Sequence, residues 1–161
     1  VLFTPEAHGS PRRMTVRELY RELAGWDPFG AFDQDRFDYD MAAKIEPNLP
    51  NGFCSIWDYP KEAASLAVLR EGVAERWELY YDGIELANCF TELCDGPEQR
   101  RRFVAAKAER RKLGESDYPL DEEFLELLPL MKSASGVALG VDRLVAALLG
   151  EKDIHAVMVG E

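Results

Sequence analysis

The sequence predicts an α+β fold, an antiparallel sheet with flanking helices. Two apolar, aromatic-rich runs flank Asp82-Gly83. This is the strongest short signal for a β-hairpin, because a type I′ turn needs two residues that tolerate positive φ. Stretches with helical apolar spacing, bounded by helix start and stop signals, lie before and after the hairpin.

The elements before the hairpin begin with a short extended segment. Residues 1–13 contain Pro, Gly and Ser and are expected to be an extended lead-in. Thr15 and Glu18 have the spacing of a capping box, which predicts a helix that begins at Thr15 and ends at Gly25. A second helix is predicted over residues 33–45, because apolar side chains recur there at helical spacing, at Phe37, Met41 and Ile45.

One strand is predicted ahead of the hairpin. Residues 53–59 read F-C-S-I-W-D-Y, and Pro60 ends the strand because proline cannot continue a ladder of hydrogen bonds. Asp58 and Tyr59 are either ordinary strand-end residues or side chains with a function.

The elements after the hairpin are mostly helical. Asp95 and Glu98 again have capping-box spacing, which predicts a helix that runs to about Leu113. Its arginines and lysines form a basic face that is either solvated or an outer contact for an acidic protein or RNA partner. Another helix is predicted over residues 121–131, with four inward apolar residues: Phe124, Leu127, Leu128 and Met131. A strand over residues 136–141, a helix over 142–149 and a last strand over 154–159 complete the prediction.

Length and composition indicate one ordinary globular core. The 161 residues are 47% hydrophobic and 30% charged, so we expect a single domain over residues 1–161. No apolar run is long enough to cross a membrane, and the N-terminus lacks the order of a signal peptide. The three cysteines form no C-x-x-C pair. We expect them to be reduced thiols in a cytoplasmic protein.

The net charge of −11 is relevant to whether this chain binds nucleic acid. A large nucleic-acid footprint needs basic surface that displaces counterions from phosphates. The acidic balance therefore disfavours such a footprint on this chain, although it does not exclude ATP, whose phosphates are held by local groups.

The hairpin brings two carboxylates together. A two-residue loop predicts four cross-strand pairs: Tyr81–Ile84, Tyr80–Glu85, Leu79–Leu86 and Glu78–Ala87. Because side chains alternate along a strand, Glu78, Tyr80 and Glu85 share one face. At about 6 Å and an effective dielectric of about 20, the two carboxylates repel by about 3 kcal/mol. A proton, a Lys or Arg, or a divalent cation would offset this, unless the face is simply solvated.

A second polar group follows along the same strand. Asn88, Phe90 and Glu92 alternate and so share a face, where they could receive a small ligand with an ammonium group, or form an ordinary amphipathic edge strand. Glu85 and Asn88 are three residues apart, and a regular strand would point them to opposite faces. Both reach one pocket only if a bulge or twist falls near Leu86 or Ala87.

Two motifs carry a family resemblance. Residues 84–93, I-E-L-A-N-C-F-T-E-L, are similar to the lysine-binding strand of class II lysyl-tRNA synthetases. They are closer still to the same strand of a shortened paralogue, the ligase that attaches β-lysine to elongation factor P. Residues 136–144, G-V-A-L-G-V-D-R-L, resemble class II motif 3. The resemblance extends over residues 14–157 and implies part of a class II synthetase catalytic domain.

The resemblance implies a role for each matching residue. Glu78 and Glu85 would hold Mg²⁺ against the phosphates of ATP, with the metal as Lewis acid. Arg143 would be the catalytic arginine, contacting ATP together with Glu85 and Gly140. Four residues would bind the lysine or β-lysine: Asn88, Phe90, Glu92, which meets the ε-ammonium, and Ala138.

The chain departs from the lysyl-tRNA synthetases at several positions. Those enzymes usually have Gly where this chain has Ala138, whereas the elongation factor P ligase has Ala. A methyl group that clashes in a tight pocket changes preference by about 10- to 200-fold, so Ala138 favours the β-lysine ligase. Cys89 replaces a common Gly, and residues 131–135, M-K-S-A-S, replace the usual M-P-P-like approach to motif 3.

Other family features are not found in the sequence. There is no F-R-x-E motif 2 core, no motif 1 dimer helix and no anticodon-binding domain. The chain begins with Val rather than Met and resembles the C-terminal half of a catalytic domain. We therefore expect weak or no adenylate formation from it alone, and a homodimer in the complete protein.

Three functions remain open from the sequence. The first is an ATP-dependent ligase that activates (R)-β-lysine or lysine and transfers it to a lysine of elongation factor P. The second is a lysyl-tRNA synthetase fragment that acts on tRNA-Lys. The third is a non-catalytic synthetase-like module that binds an amino acid or a protein.

Overall fold

The computed structural model describes residues 11–158. These residues form a sheet with helices packed around it, as the sequence predicts. The strands are β1 (Arg12–Thr15), β2 (Phe53–Pro60), β3 (Leu69–Arg70), β4 (Val73–Tyr81), β5 (Ile84–Thr91) and β6 (Ser135–Leu139). The α-helices are α1 (Val16–Leu19), α2 (Gln34–Asp40), α3 (Gly96–Lys112), α4 (Glu122–Leu127) and α5 (Val141–Leu149).

The sheet has the order β1-β2-β4-β5-β6, and β3 pairs with β4 beside this path. All pairs are antiparallel except β1–β2, which is parallel. The expectation that residues 1–13 are only a lead-in was therefore incomplete. Arg12 and Arg13 pair with Cys54 and Ser55 and add an edge strand, whereas residues 1–10 lie outside the described residues.

The first two helices begin and end where the sequence indicated. The Thr15 hydroxyl accepts a hydrogen bond from the Glu18 N–H at 3.2 Å, and the Thr15 N–H donates to the Glu18 carboxylate at 2.9 Å. The helix continues beyond α1 as a π-helical segment, Tyr20–Ala24, and stops at Gly25, whose φ of 74° suits a residue without Cβ.

The core lies between one face of the sheet and the helices α1 and α2. Tyr20 stacks on Phe37 with ring centroids 4.7 Å apart, and its hydroxyl donates to the Phe37 carbonyl at 2.6 Å. Beyond α2 a π-helical segment (Met41–Ile45) and a 3₁₀ turn (Glu46–Asn48) lead back to the sheet. This packing covers β1, β2 and part of β4, and it leaves the β4–β5 hairpin to form the wall of a cavity.

The helix α3 carries the basic face, but its cations are engaged within the chain. Glu98 pairs with Arg101 and Arg102, and these pairs hold the pKa of Glu98 at about 2, well below its usual value. Arg102 also donates to the carbonyls of Ser65 and Ala67. Glu98 is therefore not available to complete the predicted capping box, and only the Asp95 half of that box forms.

The predicted burial of three residues and one predicted strand were wrong. In α4 and the 3₁₀ turn after it (Leu128–Met131), Leu125 and Leu128 are buried, whereas Phe124, Leu127 and Met131 are exposed. Leu128 is buried as predicted. Leu125 is buried where α3 packs closely on α4: a Cβ at Gly96 would lie 2.5 Å from the Leu125 carbonyl oxygen. Residues 154–156 form a 3₁₀ turn rather than the predicted strand, and Val159 lies outside the described residues.

Candidate active site

The hairpin turn has the predicted geometry. Asp82 and Gly83 both have positive φ, 47° and 78°, as a type I′ turn requires. The Asp82 carboxylate also accepts a hydrogen bond from the Gly52 N–H at 2.6 Å. This contact joins the turn to the loop before β2 and holds the end of the hairpin in place.

A bulge close to the turn changes the pairing. Tyr80 pairs with Glu85 as predicted, but the register shifts between Leu79 and Tyr80, so that Leu79 pairs with Ala87 rather than with Leu86. Glu78 likewise pairs with Asn88 and not with Ala87. Two of the four predicted pairs were therefore wrong. The bulge lies where the sequence required one, and it puts Glu85 and Asn88 on the same face.

Glu78 accepts three hydrogen bonds from neighbouring side chains of the site. It is 6% exposed, and its carboxylate accepts from the Tyr59 hydroxyl at 2.5 Å, the Tyr80 hydroxyl at 2.8 Å and Arg76 Nη2 at 2.5 Å. Burying a carboxylate is costly unless it is paired and hydrogen-bonded, and here both conditions hold. Of the compensating groups that the sequence left open, an arginine is the one observed.

The two tyrosines that contact Glu78 are held in their neutral form. Burial, with the adjacent Glu78 charge, raises the pKa of both the Tyr59 and the Tyr80 hydroxyl. Each hydroxyl therefore keeps its proton and donates a hydrogen bond to Glu78. Tyr59, which could have been a mere strand-end residue, is part of the site.

Glu85 lies on the same strand face as Glu78 and pairs with Arg143. Arg143 Nη1 donates to the Glu85 carbonyl oxygen at 3.1 Å and lies 3.3 Å from Glu85 Oε2. Gly140 caps α5 and donates its N–H to the Leu86 carbonyl at 2.9 Å. A Cβ at Gly140 would contact the Arg143 side chain at 3.4 Å, so the glycine lets that side chain lie close to the backbone.

A third carboxylate, Glu46, faces this cavity. It is half-buried in the 3₁₀ turn after α2, and its Oε1 lies 3.4 Å from the Tyr80 hydroxyl oxygen. Burial raises the pKa of Glu46, and the charges of Glu78 and Glu85 raise it further. The cavity has a volume of about 400 Å³ and lies between α2 and the hairpin.

The residues proposed to bind the amino acid lie further along the same face. Asn88 Oδ1 accepts from Arg76 Nε at 3.3 Å. Ala138 is the cross-strand neighbour of Asn88, and Gly136 is that of Phe90. Asn88, Phe90 and Ala138 therefore form one patch beside the Glu78 cavity.

Glu92 stands at the end of that patch. Its N–H donates to the Ala134 carbonyl at 3.0 Å, and its carboxylate lies against Gly136, where a Cβ would overlap it. Among residues 11–158 no side chain or N–H donates a hydrogen bond to the Glu92 carboxylate. It is a half-buried anion with its hydrogen-bonding capacity unused, which suits an ammonium ligand.

The comparisons with known proteins identify the family of the chain. The family model described as tRNA synthetases class II (D, K and N) matches residues 6–159. The chain belongs to this family. It is similar to proteins named elongation factor P--(R)-beta-lysine ligase. In Histophilus somni, strains 2336 and 129Pt, the identity is 36% over 156 residues, which is 92% of this chain and 48% of the relative.

A relative of the same name from Avibacterium paragallinarum is 44% identical over 108 residues, covering 65% of this chain and 34% of that protein. The chain spans about half the length of the Histophilus relatives that it matches. None of the helices in residues 11–158 is both long enough and apolar enough to cross a membrane.

In this class II family chain, the structure brings most of the predicted site residues to one face of the sheet. Glu78 and Glu85 line the cavity. Arg143 pairs with Glu85, Gly140 caps α5, and the amino-acid group adjoins the cavity. Sequence reasoning missed Arg76 and Glu46. The position of Arg76, two residues before Glu78 on the same strand face, was a usable signal for it. Glu46 had none, because it reaches the site only through the fold of α2.

Proposed function

We propose that the complete protein is an ATP-dependent ligase that activates (R)-β-lysine, or lysine, as an aminoacyl-adenylate and transfers it to a lysine of elongation factor P. The observation that carries the proposal is the similarity over 92% of the chain to relatives named for this reaction. The geometry supports it, since an anionic cavity with an arginine adjoins a patch with an unused carboxylate.

The residues of the amino-acid patch fit a diamino acid. The Glu92 carboxylate can accept the distal ammonium group of lysine or β-lysine, a charge-assisted bond worth about 1.5–3 kcal/mol. Phe90 supplies an apolar wall for the methylene chain. Asn88 can hydrogen-bond to the polar end of the substrate, near the cavity that Glu78 and Glu85 line.

The cavity residues fit ATP with a divalent cation. Glu78 and Glu85 present oxygen atoms from one face, the donor type that Mg²⁺ prefers when it also binds substrate phosphates. In Glu78 the oxygen with an unused lone pair is Oε1, because Oε2 already accepts from both tyrosines. Within residues 11–158 no group of three or more His, Cys, Asp or Glu side chains could hold a metal on its own, so phosphate oxygens would complete the shell. When bound there, Mg²⁺ would supply Lewis-acid stabilisation of the phosphate charge.

Arg143 would act beside the metal. Its guanidinium is held by Glu85 and keeps further N–H donors for a phosphate oxygen. In the proposed activation step, a carboxylate oxygen of the amino acid attacks the α-phosphorus and pyrophosphate leaves. In the transfer step, the acceptor lysine amine attacks the carbonyl carbon and AMP leaves.

A lysyl-tRNA synthetase is the second candidate, because the matching family is described as tRNA synthetases. Two observations favour the ligase instead. The net charge is −11, which suits a small nucleic-acid footprint. Ala138 lies directly across from Asn88, where its methyl group narrows the patch relative to the glycine of the lysyl-tRNA synthetases.

The deciding experiment is ATP–pyrophosphate exchange by the protein from the complete reading frame, with (R)-β-lysine and with α-lysine. We expect preference for (R)-β-lysine, and we expect Ala138→Gly to move the ratio of the two kcat/KM values toward α-lysine by about tenfold or more. Preference for α-lysine with charging of tRNA would favour the synthetase. No exchange with either amino acid would contradict both enzyme functions and leave a non-catalytic binding module.

A further inference from the structure

Arg76 lies between the cavity and the amino-acid patch. Its side chain is 17% exposed, and each nitrogen of its guanidinium has a different partner. Nη2 donates to Glu78 Oε1 at 2.5 Å, Nη1 donates to the Ala63 carbonyl at 2.8 Å, and Nε donates to Asn88 Oδ1 at 3.3 Å. One side chain therefore contacts a residue from each half of the candidate site.

Aromatic rings restrict the same guanidinium. Its central carbon lies 4.4 Å from the centroid of the Tyr59 ring and 5.7 Å from that of Phe90. Three acceptors in fixed directions and two rings leave a planar guanidinium little freedom. A lysine could not reproduce these contacts, because its ammonium is a compact point charge and cannot reach three separated acceptors at once.

The contact with Arg76 determines how Asn88 is oriented. A guanidinium nitrogen can only donate, so the Asn88 atom that faces it is the carbonyl oxygen, and the amide NH₂ faces away. Within the part of the chain that the structure describes, no acceptor receives a hydrogen bond from that NH₂. Ala138, across the sheet, offers only a methyl group. Two unused donors match a substrate carboxylate and do not match an ammonium.

We propose that Arg76 is a positioning residue for the amino-acid substrate. By holding the Asn88 oxygen, Arg76 presents the Asn88 NH₂ to the substrate carboxylate. By pairing with Glu78, Arg76 also aligns the substrate carboxylate with the ATP side of the site. The inference rests on the function proposed above and adds to it the residue that joins the two halves.

The test is a double-mutant cycle on amino-acid binding, in the protein from the complete reading frame. Dissociation constants for (R)-β-lysine and α-lysine are measured by calorimetry for the wild type, Arg76→Lys, Asn88→Ala and the double variant. Each single variant should weaken binding of the preferred amino acid by about tenfold to a hundredfold. The double variant should be no weaker than the weaker single variant, because both changes remove one interaction.

Additive effects in the cycle would overturn the proposal, since Arg76 would then support the structure without acting through Asn88. Asn88→Asp is a second variant that does not depend on the folding of the Arg76 variant. The carboxylate that this substitution introduces still accepts from Arg76 but has no NH₂, so the variant should lose affinity as Asn88→Ala does. Unchanged affinity in Asn88→Asp would equally overturn the proposal.

Arg70 provides the matched control. It is an exposed arginine in β3, paired with Glu75 at 2.6 Å, and Arg70→Lys should leave both dissociation constants unchanged. If the wild type binds neither amino acid, the proposed function itself fails. If it binds one and the Arg76 and Asn88 variants bind equally well, only the positioning role fails.

Discussion

At Gly136 a single missing side chain shapes the amino-acid patch. The Glu92 carboxylate occupies the space in which a Cβ at position 136 would lie. The overlapping atom is the far end of a flexible side chain, so Glu92 can move aside at little cost. The fold would then survive, while the carboxylate would leave its position beside Phe90.

Gly136→Ala should therefore weaken binding of the amino acid with little loss of stability. We expect the KM for the amino acid to rise by about tenfold, because a charge-assisted hydrogen bond worth about 1.5–3 kcal/mol is weakened, with little change in Tm. Gly30→Ala is the control, since its Cβ would meet only the Asp27 carbonyl at 3.6 Å. A large fall in Tm without a change in KM would contradict the role given to Glu92.

The hairpin β4–β5 is the element on which the site is built. Its turn type followed from Asp82-Gly83 alone, and the need for a bulge followed from the spacing of Glu85 and Asn88. Its register beyond the turn did not follow, because a bulge is selected by packing on both sheet faces. Leu86, the residue next to the register shift, is 2% exposed, which agrees with selection by packing.

The helix α3 depends on Glu98 in its first turn. Pairing with Arg101 and then Arg102 lowers the pKa of Glu98 from 4.5 to about 2, and an acid near a helix N-terminus also interacts favourably with the helix dipole. Because the pKa of Glu98 is lower in the folded state than in the unfolded chain, the ionised carboxylate stabilises the fold at pH values above the unfolded-state pKa. This stabilisation is lost as the pH falls toward the folded-state pKa.

Glu98→Gln should lower the free energy of unfolding at pH 7 by about 1 kcal/mol, since the pairs are partly solvated. The difference from the wild type should disappear progressively as the pH falls from about 4.5 to about 2. Urea unfolding at a series of pH values measures it. Glu109→Gln, which breaks the exposed pair with Lys112, should have a smaller effect, and an equal effect would argue against the first-turn role.

At the scale of the whole molecule, the sheet formed by residues 11–158 is covered on one face and has β1 and β6 as its edge strands. The strand β6 is an edge strand, and two of its apolar side chains, Val137 and Leu139, are 64% and 46% exposed. Exposed apolar edge strands are templates for pairing with another chain. The 161-residue chain by itself should therefore self-associate through this edge.

Leu139→Lys should reduce that association, because a charged side chain on an edge strand opposes pairing. Sedimentation velocity of the 161-residue chain over a range of concentrations measures the effect. Leu113→Lys is the control, since Leu113 is 75% exposed at the end of α3 and away from the sheet. Equal reduction by both substitutions would show that general apolar exposure, and not the edge, drives association.

Several features of this protein follow from its sequence because they depend on neighbours in the chain. The Thr15 capping box, the Asp82-Gly83 turn and the shared face of Glu78 and Glu85 all result from spacings of a few residues. The I-E-L-A-N and G-V-A-L-G motifs likewise indicated the class II family before any fold was known. Local geometry and alternation are sufficient for such features.

Other features were decided only by tertiary structure. Glu46 enters the cavity because α2 and its continuation pack over the sheet, and the β1–β2 pairing joins segments about forty residues apart. The inward residues of α4 differ from those predicted because α3 packs against it at Gly96. The partner of Glu78 could have been a proton, a metal or a cation. Arg76 is the partner within the chain, because the Tyr59 ring and the Ala63 carbonyl hold its guanidinium at that carboxylate.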